Sequence, residues 1–146
     1  MADLTPVIAY DPDKFYTPEE QAENRIELCR ALESGDYHHG KGALKNEDGT
    51  MCCLGVSLDL IDPNGWLPVS VDETRHQHRL GAERSRNFTY MDEEERTIYP
   101  DFVVLQQVYG IDELFAQRRL ADTNDAEDTT SYAPVISLIA GYRSAA

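Results

Sequence analysis

Apolar residues recur at helical spacing in several stretches of this chain, and turn-forming residues separate them. The first stretch opens at Thr17-Pro18-Glu19-Glu20, where Thr17 can cap, Pro18 suits the first helical position and Glu20 can complete a capping box. Ala22, Ile26, Cys29 and Leu32, joined by Leu28, form its expected buried stripe. Ser34-Gly35 ends the helix, because glycine takes the left-handed conformation that closes one. Ahead of it, Val7, Ile8 and Tyr10 precede the turn Asp11-Pro12-Asp13, and the arm over residues 1–16 is expected to be extended and only loosely docked.

The stretch from Tyr37 to Val56 predicts a hairpin feeding a buried helix. Asp48-Gly49 is a turn signal, and Leu54, Leu58 and Ile61 return at helical spacing until Asp62-Pro63-Asn64-Gly65 stops them. Gly55 lies inside that apolar run. Glycine costs about 1 kcal/mol relative to alanine in a helix interior, so its presence predicts a second backbone close by. Trp66, Leu67, Val69 and Val71 then predict a short strand, and Asp72 to Arg96, charged and poor in aliphatics, predicts a long surface excursion and the least stable part of the fold.

Past Pro100, Asp101 can cap a helix carrying Phe102, Leu105, Val108 and Tyr109, which Gly110 ends. Asp112 can cap another through Leu114, Phe115 and Leu120, followed by a polar loop from Thr123 to Asp128. The last helix is expected from about Thr130 or Ser131, with Pro134 in its first turn and Val135, Ile136, Leu138, Ile139 and Tyr142 on a broad buried face. The pattern predicts a mainly α (α+β) fold: a single domain over residues 1–146 with four to five helices and a small β-hairpin.

Composition adds a charge argument. Twenty-seven acidic side chains against 13 basic ones give a net charge of −14 in 146 residues, which argues against nucleic acid as a partner and for a basic protein surface. Cys29, Cys52 and Cys53 are odd in number and two are adjacent, so the sequence predicts reduced thiols. The segment Met1 to Ile8 lacks the basic region and apolar run of a secretion signal, and no segment approaches about 18 consecutive apolar residues. The expectation is a protein of the cytoplasm with no membrane partner.

Leu32-Glu33-Ser34-Gly35-Asp36-Tyr37, Gly40-Lys41-Gly42-Ala43-Leu44, Cys52-Cys53-Leu54-Gly55-Val56 and the late Asn124-Asp125 before Ser131-Tyr132 stand in this order. Together they resemble a group of small proteins of tailed bacteriophages, with His38-His39 where the group carries a single polar residue, often Gln. The resemblance covers the first helix, the central stretch and the C-terminal helix, but not residues 62–100. What it implies is context, a phage accessory protein in the bacterial host cytoplasm; it carries no mechanism.

The loop Tyr37 to Gly42 sets an aromatic ring, two imidazoles and an ammonium beside glycines. Tyr37, His39 and Lys41, with Asn124 and Asp125, are therefore the candidate ligand- or partner-binding residues. Gly40-Lys41-Gly42 lacks the Gly-x-x-x-x-Gly-Lys-Ser/Thr spacing of a nucleotide-hydrolase loop, and a plain turn before a strand is the simpler reading of it. Asn124 and Asp125 also suit a helix cap or a loop. Cysteines in an apolar helix are packing residues as a rule, and Cys52-Cys53 with His38, His39, His76 and His78 lack the spacing of a zinc site. No catalytic residue, metal or cofactor is assigned. The functional expectation is a phage accessory protein that binds a host protein and modulates host metabolism or defence. The alternative is a binding protein or enzyme for a nucleotide or another small phosphorylated ligand, using the 37–42 loop. A recognition loop of this kind predicts that Lys41→Ala with His39→Ala removes binding while leaving the melting temperature nearly unchanged.

Overall fold

In the computed structural model, which describes residues 5–41, 44–46, 48–68, 75–78 and 102–142, Thr17 opens the first helix as the sequence predicts. Helix α1 (Pro18–Glu33) has a complete capping box: the Glu20 amide donates to the Thr17 hydroxyl, and the Thr17 amide donates to the Glu20 carboxylate. Gly35 follows its end at φ 84°, the left-handed region that favours glycine.

Strand β1 (Lys45–Asn46) precedes helix α2 (Cys53–Ile61), and strands β2 (Trp66–Pro68) and β3 (Arg75–His78) follow it. Helix α3 (Phe102–Tyr109) comes next. A continuous helical stretch, α4, then starts as Glu113–Phe115, widens to a π-helix over Ala116–Ala121 and finishes as Asp122–Asp125. Helix α5 (Ala133–Ala140) is the last. The fold is mainly helical, with α1 packed on α2, α3 and α5.

Helix α2 occupies the centre because nearly all of it is apolar: eight of its nine residues, Cys53 to Leu58, Leu60 and Ile61, are buried. Leu28 and Leu32 of α1, Leu105 and Val108 of α3, Leu120 of α4 and Val135 and Ile139 of α5 complete the core around it. At Gly55 the expected close approach is present. A Cβ there would lie inside the radius of the Leu44 carbonyl oxygen and 2.9 Å from its carbon, so the chain entering α2 rests directly on the helix backbone.

Four expectations need correction. The stripe assigned to α1 is rotated: Leu28 and Leu32 are buried, but Ile26 is 52% exposed. The face of α1 toward α3 is polar instead, because it bonds the carbonyls of the last turn of α3, most of which have no helical donor. Gln21 Nε2 donates to Gln106 O and Gln107 O, Asn24 Nδ2 to Val108 O at 2.9 Å, and Arg25 to Tyr109 O at 2.7 Å. The N-terminal arm, likewise, is pinned over its described residues rather than loose. The Val7 and Ile8 amides both donate to Leu60 O, and Gln107 Nε2 reaches Asp11 O, Pro12 O and Lys14 O.

Third, Arg75–His78 is a strand inside the stretch read as a structureless excursion. It is the central strand of a three-stranded sheet in the order β1-β3-β2, antiparallel to both neighbours, with Lys45 opposite His76 and Trp66 opposite His78. The turn expected at Asp48-Gly49 does form, with Gly49 at φ 89° and the Asn46 amide donating to Thr50 O, yet β1 takes β3 as its sheet partner and meets Met51 only in an isolated bridge. Fourth, Thr123 to Asp125 are helical, and α5 starts at Ala133, later than expected. The remainder of the Asp72 to Arg96 stretch and the cap expected at Asp101 lie outside the described residues.

Candidate functional site

Asn124 on the last turn of α4 is fully buried, and its amide joins three segments. Its Oδ1 accepts from the Cys53 amide at 3.2 Å; its Nδ2 donates to Gly40 O at 2.9 Å and to Asp125 Oδ1 at 2.8 Å. An N–H on one side and a carbonyl on the other fix the orientation of the amide. The Cys53 amide is at the N-terminus of α2, where no helical carbonyl is available, so Asn124 caps one helix from the end of another.

The loop before β1 is drawn onto the same place. His39 Nε2 bonds the Asn124 carbonyl at 3.0 Å, with its ring edge-on to Tyr132 at 5.3 Å. Lys41 Nζ donates to Ala126 O at 2.6 Å and Glu127 O at 3.4 Å, where a cation suits the carbonyl-rich end of α4. The Gly40 amide donates to Met51 O and the Met51 amide to His38 O, while the Tyr132 hydroxyl stands 2.6 Å from Met51 O and 3.0 Å from His38 O. At Gly40 a Cβ would meet Thr50 Oγ1 at 2.6 Å, so the two backbones run in contact.

Of the candidate residues, the structure thus brings His39, Lys41, Asn124 and Asp125 together. Tyr37 lies apart by its hydroxyl, which donates to Asp59 Oδ2 at 2.5 Å while Trp66 Nε1 donates to Asp59 Oδ1 at 2.8 Å. Burial, and then the bond to Asp59, push the Tyr37 hydroxyl well above the usual phenol range. The rings of Tyr37 and His39 nevertheless share a shallow groove of about 370 Å³ with His38, Ser131 and Tyr132. Because both loop side chains hold the α4 end, the expectation of an unchanged melting temperature for Lys41→Ala with His39→Ala gives way to one of lower stability.

Tyr132 and Asp59 carry bonds that the sequence reading did not assign. Asp59, the one charge in a nine-residue helix that is otherwise apolar but for Ser57, was the available signal. Tyr132→Phe removes the hydroxyl, whose one proton the Met51 and His38 carbonyls share, without altering the ring; it is expected to cost about 1 kcal/mol, read as a lower denaturant midpoint with an unchanged slope.

Burial pushes the Cys52 thiol up to about 12 and holds Cys53 and Tyr109 well above their ordinary values. Such thiols are poor nucleophiles near neutrality. The folded state favours the protonated form of all three groups. Their contribution is therefore fully present below the unfolded thiol and phenol values, about 8.5 and 10, and is lost as pH rises through the folded ones. Urea midpoints are accordingly expected to fall steeply between pH 9 and 12, in step with Cys52, and replacing Cys52 by Ala should flatten the early part of that fall.

Among the described residues, no three His, Cys, Asp or Glu side chains gather as a metal-binding group, and no helix is long and apolar enough to cross a membrane. Comparison with family models, with curated proteins and with solved structures gives no match for this chain.

Proposed function

We propose that the chain is a binding protein, an accessory factor of a tailed bacteriophage that engages a protein of the bacterial host in its cytoplasm and alters host metabolism or defence. The observation that carries this reading is the use made of the polar residues with chemical potential. His39, Lys41 and Asn124 are spent on the chain's own carbonyls and amides, and Cys52 and Cys53 are buried in the core. Function then falls to surface shape and charge. A net charge of −14 steers a basic partner surface toward the protein and disfavours anionic ones.

A second reading, a nucleotide or other small phosphorylated ligand at the Tyr37 to Lys41 loop, draws on the groove between Tyr37, His39 and Tyr132. It is the weaker of the two, since the Lys41 ammonium is turned toward Ala126 O and Glu127 O.

One experiment separates them. The tagged protein is incubated with bacterial lysate at about 0.1 M salt and washed at about 1 M, where the Debye length falls to about 3 Å; in parallel, the purified protein is weighed under native conditions. A stoichiometric protein released by salt supports the partner reading. A stoichiometric small molecule in the native mass, with no captured protein, replaces it with the ligand reading.

A further inference from the structure

We infer that the groove between α1 and α5 is the docking site for a cationic amphipathic segment of that partner, an inference that rests on the partner reading. The groove has a volume of about 370 Å³ and an apolar floor built from Ala22, Ile26 and Cys29 of α1, from Ile139 and Ala140 of α5, and from Tyr142 shortly after it. Ile26 is 52% exposed at its edge, on the helix whose face toward α3 is given over to polar side chains. Its second wall, α5, carries no charged residue from Ala133 to Ala140.

Charge complementarity names the occupant. Glu33 lines the groove, and the exposed Glu19 and Glu23 stand three residues before Ala22 and Ile26 on α1, one helical turn from the floor. The two cations at the rim are directed inward or balanced: Arg25 donates to Tyr109 O and stands 5.3 Å over the Tyr142 ring, and Arg30 pairs with Glu27 at 2.7 Å. A helix that lays one aliphatic stripe on the floor and its lysines or arginines against the glutamates satisfies both features. A second copy of the chain fits less well, because each copy carries −14 and would set the same glutamates against their own kind.

The probe is a fluorescein-labelled Lys/Leu peptide of about 14 residues with amphipathic helical spacing, titrated by anisotropy. Saturable binding is expected, with Cys29 protected from alkylation. Affinity should fall at least about tenfold in Ile26→Ser and again in Glu23→Lys with Glu33→Lys. Phe15→Ser, which alters an 87% exposed residue elsewhere, should leave it unchanged, and a Glu/Leu peptide of the same spacing should not bind. Wild-type affinity in Ile26→Ser overturns the inference, as does a dimer in sedimentation that Ile26→Ser dissolves. Repeating the lysate capture with Ile26→Ser keeps the two proposals distinct: an undiminished partner removes the groove and leaves the partner reading standing, whereas no salt-sensitive partner for the wild type removes the partner reading itself.

Discussion

Gly55→Leu is expected to lower stability by more than about 3 kcal/mol, beyond the usual range for overpacking, and to reduce the melting temperature by roughly 10 °C or more. The size follows from what the side chain would meet. Neighbouring side chains can change rotamer, but the obstacle at Gly55 is the Leu44 backbone, whose carbon and Cα lie 2.9 and 3.3 Å from the Cβ position. Moving Leu44 also moves β1 at Lys45, which pairs with β3. Gly55→Ala is the sharper variant, since one methyl already produces the clash. A melting temperature within a degree of wild type for Gly55→Ala would show that the segment entering α2 does not rest on the helix.

Asn124→Leu is expected to be nearly as damaging, at about 3 kcal/mol or more. It removes three hydrogen bonds at a fully buried position and leaves the Cys53 amide and the Gly40 carbonyl without their partner, each loss costing about 1–3 kcal/mol. Asn124→Asp isolates the donor side. The acceptor for the Cys53 amide is retained, but a carboxylate now faces the Gly40 carbonyl and Asp125 Oδ1, groups that offer it no proton. Thermal melts of the two variants should therefore both fall well below wild type. If Asn124→Asp matched wild type, the joint between α4, the loop and α2 would be held by something other than this amide.

The parts of the fold legible in the sequence were those fixed by neighbours along the chain. The capping box at Thr17 and Glu20, the left-handed Gly35 and the limits of α2 are each decided within a few residues. Gly55 was legible for a different reason: a glycine in an apolar helix is a cost that close backbone approach offsets. What escaped depends on distant partners. Arg75-His76-Gln77-His78 has no apolar residue to mark a strand, and main-chain pairing with β1 and β2 makes it one. Ile26 reads as core by periodicity, but Gln21, Asn24 and Arg25 turn α1 so that its polar edge serves the end of α3. Thr123 to Asp125 have weak helix propensity, and the bonds of Asn124 hold them in the last turn. At the candidate site, residue type and loop position were enough to select His39, Lys41, Asn124 and Asp125, which converge in space. Their bonds, not their identities, define what they do, and those bonds cross about 85 residues of sequence.

His39, Lys41 and Asn124 clasp the fold, and the proposed recognition surface lies elsewhere on the molecule. The most direct test measures, on Lys41→Ala with His39→Ala, the melting temperature together with capture of the proposed salt-sensitive partner at a temperature where the variant remains folded. Loss of a charged hydrogen bond and of the imidazole contact should cost about 2 kcal/mol, several degrees of melting temperature, with capture undiminished. An unchanged melting temperature with capture abolished would contradict the account and make the loop the recognition site.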